Sequence, residues 1–120
     1  MTNNYRKIVG AYGEKLARTY LERNGYEIIA TNVKISYQEI DIIAKIKEKL
    51  VFAEVKTRTS ASFGQADETI FDFKTQNLKN GISSFLENNK EYNDFEVRLD
   101  LIAIDINRAD KTAKIGRAHV

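Results

Sequence analysis

Apolar and polar residues recur along the chain with two different periods, and these periods predict its helices and strands. From Tyr5 to Asn24 the apolar residues return every three or four positions, as in an amphipathic helix, and Gly25 follows as a helix cap. The same period predicts a second helix from Asp67 to Asn88. Short segments rich in Ile, Val and aromatic residues predict strands at 26–32, 38–46, 50–57 and 95–104. The order is therefore helix, three strands, helix and strand.

The composition is that of one globular domain. The 120 residues are 42% apolar and 30% charged, and a single core forms readily at this length. No segment approaches the roughly 20 apolar residues of a membrane span, and the first ten residues lack the pattern of a secretory signal, so we expect a cytoplasmic protein. The chain has no cysteine and one histidine, which excludes disulfides and zinc–thiolate sites. Any metal site must therefore use carboxylate oxygens.

The net charge of +2 depends on the last seven residues, Lys114 to Val120, which carry two basic side chains and no acidic one. The rest of the chain has 17 basic and 17 acidic residues, so bulk charge does not indicate a nucleic-acid partner. One back-translation of these seven residues resembles the start of a widely used sequencing adapter. We therefore predict a single domain at 1–113 and a non-native tail at 114–120, in which His119 has no function. Resequencing of the locus that returned the same codons would contradict this prediction.

Charged residues interrupt two of the predicted strands, each on one face. Because strand side chains alternate between faces, the second strand is expected to place Glu39 and Asp41 on one face together with Ile43. In the third strand, Glu54 and Lys56 share a face. The residues expected on the opposite face of the second strand are apolar: Ile40, Ile42 and Ala44.

A tight turn between these two strands would bring the four charges into one patch. If residues 47 and 48 form the turn, Ile46 pairs with Lys49, and this register places Asp41 opposite Glu54 and Glu39 opposite Lys56. Two opposed carboxylates repel each other unless a cation lies between them, and a divalent metal ion is the natural cation. The alternatives are a simple cross-strand ion pair of Glu39 with Lys56 and a buried structural network of these charges.

The helices and the last strand add further candidates. Glu14 lies at the border of the apolar stripe of the first helix, where it can turn toward the same patch. Lys74 falls within the apolar stripe of the second helix, so it either extends along that face to water or binds an anion. Arg98 and Asp100 share a face of the last strand and are predicted to form a structural ion pair. Arg58 follows the patch, where a donor could contact a phosphate.

An Asp in one strand and Glu-x-Lys in the next, here Asp41 and Glu54-Val55-Lys56, resembles the motif of the PD-(D/E)XK nuclease superfamily. The wider chain, up to about Asp105, resembles the bacterial family UPF0102, also named YraN, which is similar to archaeal Holliday-junction resolvases. The stretches that carry this resemblance are Gly13-Glu14, Gly25-Tyr26, 39–44, 52–58, Phe63-Gly64, Lys74 and 98–100. The chain departs from the family at Gln38, where a glycine is usual, and after about Arg108.

The resemblance implies a restriction-endonuclease-like α/β fold, with a central mixed sheet flanked by helices. It also implies that Asp41, Glu54 and the carbonyl of Val55 bind Mg²⁺ or Mn²⁺, with Glu14 as a further ligand and Lys56 as the group that orients the attacking water. These four side chains are the candidate catalytic residues. Glu39 is a candidate for supporting the ligands, and Arg58 and Lys74 are candidates for binding the nucleic-acid backbone.

The function implied in this way is Mg²⁺-dependent hydrolysis of phosphodiester bonds in DNA, with structured or branched DNA as the expected substrate. Action on two strands of a junction would need a homodimer. Two alternatives remain open from the sequence. One is a nucleic-acid-binding module that keeps the fold without catalysis, and the other is a structural partner protein that binds neither metal nor nucleic acid.

Overall fold

The structure, a computed structural model, describes the backbone of residues 3–35, 38–59 and 68–119, and their side chains except at 3, 4, 6 and 68–77. Two long helices and five strands make up the described chain. In order they are α1 (Asn3–Arg23), β1 (Glu27–Ile35), β2 (Gln38–Ile46), β3 (Lys49–Thr59), α2 (Glu68–Asn88), a short 3₁₀ turn (Lys90–Tyr92), β4 (Glu96–Asn107) and β5 (Thr112–His119). Both predicted helices and all four predicted strands are confirmed, with ends that shift by a few residues.

The strands form one mixed sheet in the order β1-β2-β3-β4-β5. Only the β3–β4 pair in this sheet is parallel, and α2 lies in the connection between its two strands. The other neighbours are antiparallel. β4 lies between β3 and β5, which explains why its sequence is apolar on both faces. The expected α/β architecture is confirmed.

A separate hydrophobic core lies on each face of the sheet. α1 covers one face, where Ala17 and Leu21 pack against β2, β3 and β4. α2 covers the other face, where Leu78 and Ile82 pack around the buried ring of Phe52. No helix in the described ranges is both long and apolar enough to cross a membrane.

The predicted cap of α1 is confirmed at Gly25. This residue has a φ of +90°, a conformation that costs glycine little because it has no Cβ. The amide of Tyr26 donates to the carbonyl of Leu21 at 3.0 Å, which satisfies one of the last carbonyls of the helix. The chain then turns directly into β1.

The fifth strand was not predicted. Residues 112–119 pair with β4 from Asn107↔Thr112 to Asp100↔His119, at the edge of the sheet. Most of this strand is exposed, so its sequence lacks the apolar alternation that identifies half-buried strands. That 114–120 is a non-native tail stays a prediction, because pairing with β4 says nothing about the origin of these codons.

Candidate functional site

The hairpin of β2 and β3 has the predicted register but stops pairing at the predicted site. Ile46 pairs with Lys49 across a two-residue turn, in which Lys47 has a φ of 53°. The ladder ends at Ile42↔Ala53, one pair before Asp41 would meet Glu54. The two strands therefore separate at the level of the two carboxylates.

The side chain of Asp41 links the two strands where the ladder ends. Its Oδ2 accepts a hydrogen bond of 2.7 Å from the backbone amide of Val55. A charge-assisted bond of this kind fixes the carboxylate more firmly than contact with water would. One oxygen of Asp41 is thus held at the strand that carries Glu54 and Lys56.

The predicted face of Ile40 in β2 is wrong. Ile40 was expected to share a face with Ile42 and Ala44, but it packs with Ile43 in the core under α2. Ile42 and Ala44 pack under α1, as expected. Strict alternation cannot place Ile40 and Ile43 on one side of the sheet, because they are three residues apart.

The reason lies in the pairing of β1 with β2. Thr31↔Ile42 and Val33↔Ile40 are paired, whereas Asn32 and Asp41, which lie between them, are not. Asn32 has a φ of 52°, in the left-handed region that asparagine enters more readily than other non-glycine residues. The alternation of faces therefore breaks at Asp41, in the middle of β2.

Glu14 reaches the site because α1 crosses β3 at a glycine. A Cβ on the buried Gly13 would overlap the side chain of Thr57, so only glycine allows the helix to approach this closely. Glu14 follows directly and is half-buried. The side-chain amide of Asn32 donates to Glu14 Oε1 at 2.8 Å, which joins α1 to β1.

Electrostatics indicate that acidic groups meet here. Burial raises the pKa of Glu14, and the negative charges of Asp41 and Glu39 raise it further, against the opposing effects of the hydrogen bond from Asn32 and the charge of Arg18. Within the described ranges, no basic side chain lies within salt-bridge distance of Glu14 or Asp41. Among the described residues, Arg18 acts on Glu14 through its charge but does not form a salt bridge with it.

The remaining predicted residues are distributed around this pair. Glu54 is buried, with 8% of its surface exposed, whereas Lys56 is exposed. Arg58 is half-buried near the end of β3. Lys74 belongs to α2, but its side chain lies outside the described residues, as do Phe63 and Gly64. Glu39 is exposed and lies opposite Lys34 in the β1–β2 ladder. The β2–β3 ladder ends before the level of Glu39 and Lys56.

The part of the chain that the structure describes holds no group of three Asp, Glu, His or Cys side chains spaced to bind a metal ion. The predicted ligands Glu14, Asp41 and Glu54 are thus not a closed cluster, and whether they bind metal stays a prediction. Mg²⁺ commonly binds one or two carboxylates and completes its shell with water and substrate phosphates. Glu14 and Asp41 supply oxygen donors of the required kind.

A second charged cluster surrounds Asp100, and it confirms the predicted structural pair. Asp100 is fully buried and accepts a bond of 3.2 Å from Arg98. Two partners come from β5: Arg117 at 2.6 Å and His119 at 2.8 Å. Arg117 also donates to the hydroxyl of Tyr26 at 2.9 Å. The sequence does not indicate the β5 partners, because this exposed edge strand has no apolar alternation.

The pKa of Asp100 is lowered although the side chain is buried. Burial alone would raise it, but the hydrogen bonds with His119, Arg98 and Arg117 together outweigh burial. Asp100 is therefore held as a carboxylate by its own protein, which is typical of a structural ion pair.

Asn32 is the one site residue that the sequence did not suggest. It lies within an otherwise ordinary strand pattern, and its role depends on contacts with a helix that is 18 residues away in the chain. The only local signal is the preference of asparagine for the left-handed conformation, which is too common to identify a site.

Comparisons with known proteins now identify the family. The model of the uncharacterised protein family UPF0102 matches residues 13–104. A UPF0102 protein of Caldanaerobacter subterraneus is 39% identical over 102 residues, which cover 85% of this chain and 83% of the relative. One of Francisella tularensis is 44% identical over 98 residues, covering 81% and 84%. One of Caldicellulosiruptor bescii is 38% identical over 110 residues, or 92% of each chain. This chain belongs to the UPF0102 family.

Proposed function

We propose that this protein is a Mg²⁺-dependent nuclease of the PD-(D/E)XK type that hydrolyses phosphodiester bonds in DNA. One observation carries the proposal: the charges of Glu14 and Asp41 lie near enough to repel each other, neither has a salt-bridge partner among the described residues, and Asp41 bonds to the backbone of Val55, next to Glu54, where the β2–β3 ladder ends. Bringing carboxylates together without a salt bridge costs free energy, and a divalent cation bound between them would offset that cost.

The roles follow from the chemistry of each side chain. Asp41 and Glu54, with the carbonyl of Val55, would hold the metal ion, and Glu14 would bind it directly or through water. The ion would act as a Lewis acid that lowers the pKa of a water molecule and offsets charge on the scissile phosphate. The exposed ammonium of Lys56 would orient the attacking water or stabilise negative charge in the transition state.

The substrate we propose is structured or branched DNA. Arg58 and Lys74 would bind its phosphates, which positions a nucleic acid without reading its sequence. Cleavage of two strands at one junction would require two copies of the chain, and sedimentation with and without DNA tests for the homodimer.

The test begins with metal and needs no choice of substrate. Calorimetric titration of Mn²⁺ into the full chain is expected to show binding that weakens at least tenfold in Asp41→Asn and in Glu54→Gln. Glu87→Gln, which removes an exposed carboxylate at the end of α2, is the matched control and should bind as the wild type does. Each variant is first checked for cooperative unfolding.

Cleavage assays then use flaps, four-way junctions, duplexes and single strands with Mg²⁺. The proposal predicts products from at least one branched substrate, and none with Asp41→Asn. If the folded wild type neither binds Mn²⁺ nor cleaves any of these DNAs, the nuclease proposal is wrong.

A non-catalytic nucleic-acid-binding module on the same fold is the second candidate. The absence of a closed three-carboxylate cluster among the described residues favours it. It predicts DNA binding that is independent of Mg²⁺ and unchanged by Asp41→Asn, which a gel-shift titration in EDTA measures directly.

A further inference from the structure

Asn32 contacts the site through one hydrogen bond that contributes little to holding the fold together. The residue is exposed, and its amide donates to Glu14 Oε1 at 2.8 Å. Exposed side-chain hydrogen bonds add only about 1 kcal/mol or less to stability, because water can replace them. The bond does, however, restrict the position of a carboxylate that would otherwise have several rotamers.

The backbone at Asn32 is arranged for this contact. Its φ of 52° is unusual for a non-glycine residue inside a strand. It lies at the level of Asp41, where the β1–β2 ladder lacks a pair, and the amide reaches across to α1. Asn32 thus connects α1, which carries the candidate ligand Glu14, with the level of the sheet that carries the candidate ligand Asp41.

The chemistry of an amide suits this position. A lysine or arginine at residue 32 would also bind Glu14, but its charge would neutralise the carboxylate and repel an incoming cation. The amide of Asn32 donates a hydrogen bond and adds no net charge. It orients Glu14 through Oε1, and no described residue donates a hydrogen bond to Oε2.

We propose that Asn32 is a positioning residue, whose side chain holds the Glu14 carboxylate toward Asp41 so that both can bind one divalent cation. This inference rests on the proposed function, since it assigns Asn32 a part in the same metal site. Asn32 contacts neither metal nor substrate in this role and acts through Glu14.

The informative variant is Asn32→Gly. Glycine accepts a φ of 52° without strain, so this substitution removes the side-chain amide and retains the backbone conformation. Asn32→Ala would remove the amide and also strain the backbone. Mn²⁺ titrated into the full-length variant is expected to bind about tenfold more weakly than to the wild type. Asn24→Gly is the matched control, because the side-chain amide of Asn24 bonds only to the carbonyl of Tyr20 among the described contacts. It should leave the affinity unchanged.

A double-mutant cycle separates positioning from a general structural effect. In the Glu14→Gln background, Asn32→Gly is expected to have no further effect on the Mn²⁺ affinity, since the carboxylate that it orients is gone. Equal weakening in both backgrounds would show that Asn32 acts on the fold and would overturn the proposal. Unchanged affinity of Asn32→Gly in the wild-type background would overturn it as well.

The two proposals fail in different ways. If the wild type binds no Mn²⁺, the proposed function and the positioning role fall together. If the wild type binds Mn²⁺ through Asp41 and Glu54 but is indifferent to Asn32→Gly, only the positioning role is lost.

Discussion

Asp100 and the pair of Glu14 and Asp41 present the same chemical group to one sheet with opposite consequences. Asp100 is fully buried and receives hydrogen bonds from Arg98, Arg117 and His119, and its pKa is lowered. Glu14 is only half-buried, and its pKa is raised. Burial alone does not distinguish the two regions, because the more deeply buried group is the more acidic one.

The difference is in what compensates the charge. Among the described contacts, Asp100 has cationic partners, whereas Glu14 and Asp41 are bonded by one side-chain amide and one backbone N–H, with the charge of Arg18 nearby but not in a salt bridge. A carboxylate with its own cations has no need of another, whereas carboxylates served by neutral donors are stabilised when a cation arrives. We therefore interpret the first cluster as structural and propose the second as a binding site, and this contrast leads to four predictions.

The largest effect is expected from Asp100→Ala. Removing the carboxylate leaves Arg98 and Arg117 without their shared partner and opens a small cavity, so the free energy of unfolding should fall by about 3–5 kcal/mol. Urea denaturation measures this value. Asp41→Asn is the comparison, and it should change stability by less than about 1 kcal/mol. Equal losses in the two variants would abolish the distinction between the clusters.

Gly13→Ala should have the next largest effect. Its Cβ would overlap the Thr57 side chain, so either α1 moves away from β3 or the strand distorts, at a cost of about 1–3 kcal/mol. Gly10→Ala is the matched control on the same helix, because a Cβ there meets nothing within 4 Å. It should be neutral or stabilising by up to about 1 kcal/mol, since alanine favours helix. A Gly13→Ala protein as stable as the control would contradict the close contact.

The pH dependence of stability should identify Asp100 as a carboxylate with a lowered pKa. As pH falls past the ordinary value of 3.8, the unfolded chain takes up a proton at this residue before the folded protein does, and folding loses stability. The advantage of the wild type over Asp100→Asn should therefore be greatest near neutral pH and narrow toward pH 3. Unfolding titrations of both proteins between pH 3 and 7 measure it. A gap that widened on acidification would have the wrong sign.

Glu14→Gln should change the stability of the protein least, and it should stabilise the fold, whereas Asp100→Ala and Gly13→Ala destabilise it. Since the pKa of Glu14 is raised, its charged form is disfavoured in the folded protein at neutral pH. Removing the charge should raise the melting temperature by no more than a few degrees, while Mn²⁺ binding weakens. The gain should disappear at low pH, where Glu14 is itself protonated. Scanning calorimetry at pH 4 and pH 7 tests both statements.

Local patterns in the sequence were sufficient for most of the fold. The helical period gave α1 and α2, and the turn at Lys47 fixed the β2–β3 register that brings Asp41 near Glu54. These features depend on neighbours in the chain, which periodicity and turn chemistry describe well. β5 could not be identified in this way, because an exposed edge strand is defined by its partner and has no apolar pattern of its own.

The sequence predicted most residues of the candidate site but not their arrangement. The charges of Asp41 and Glu54 stand out in apolar strands, and Glu14 stands out beside small residues on a helix. The predicted face of Ile40 was wrong, and Asn32 was missing from the predicted site residues, for the same reason. Both involve the left-handed backbone at residue 32, which leaves no periodic trace in the sequence.

The parallel pairing of β3 with β4 has a consequence for the order of folding. β1, β2 and β3 pair with strands adjacent in the chain, but Lys49 of β3 pairs with Glu96 of β4, which follows only after α2. Closing that long loop costs conformational entropy, so we expect the β1–β3 meander to acquire hydrogen-exchange protection before β4 does in a pulse-labelling experiment. Glu14, Asp41 and Glu54 all belong to the segment that ends with β3. This segment emerges from the ribosome first. The three carboxylates can therefore begin to come together while the remainder of the chain is still being synthesised.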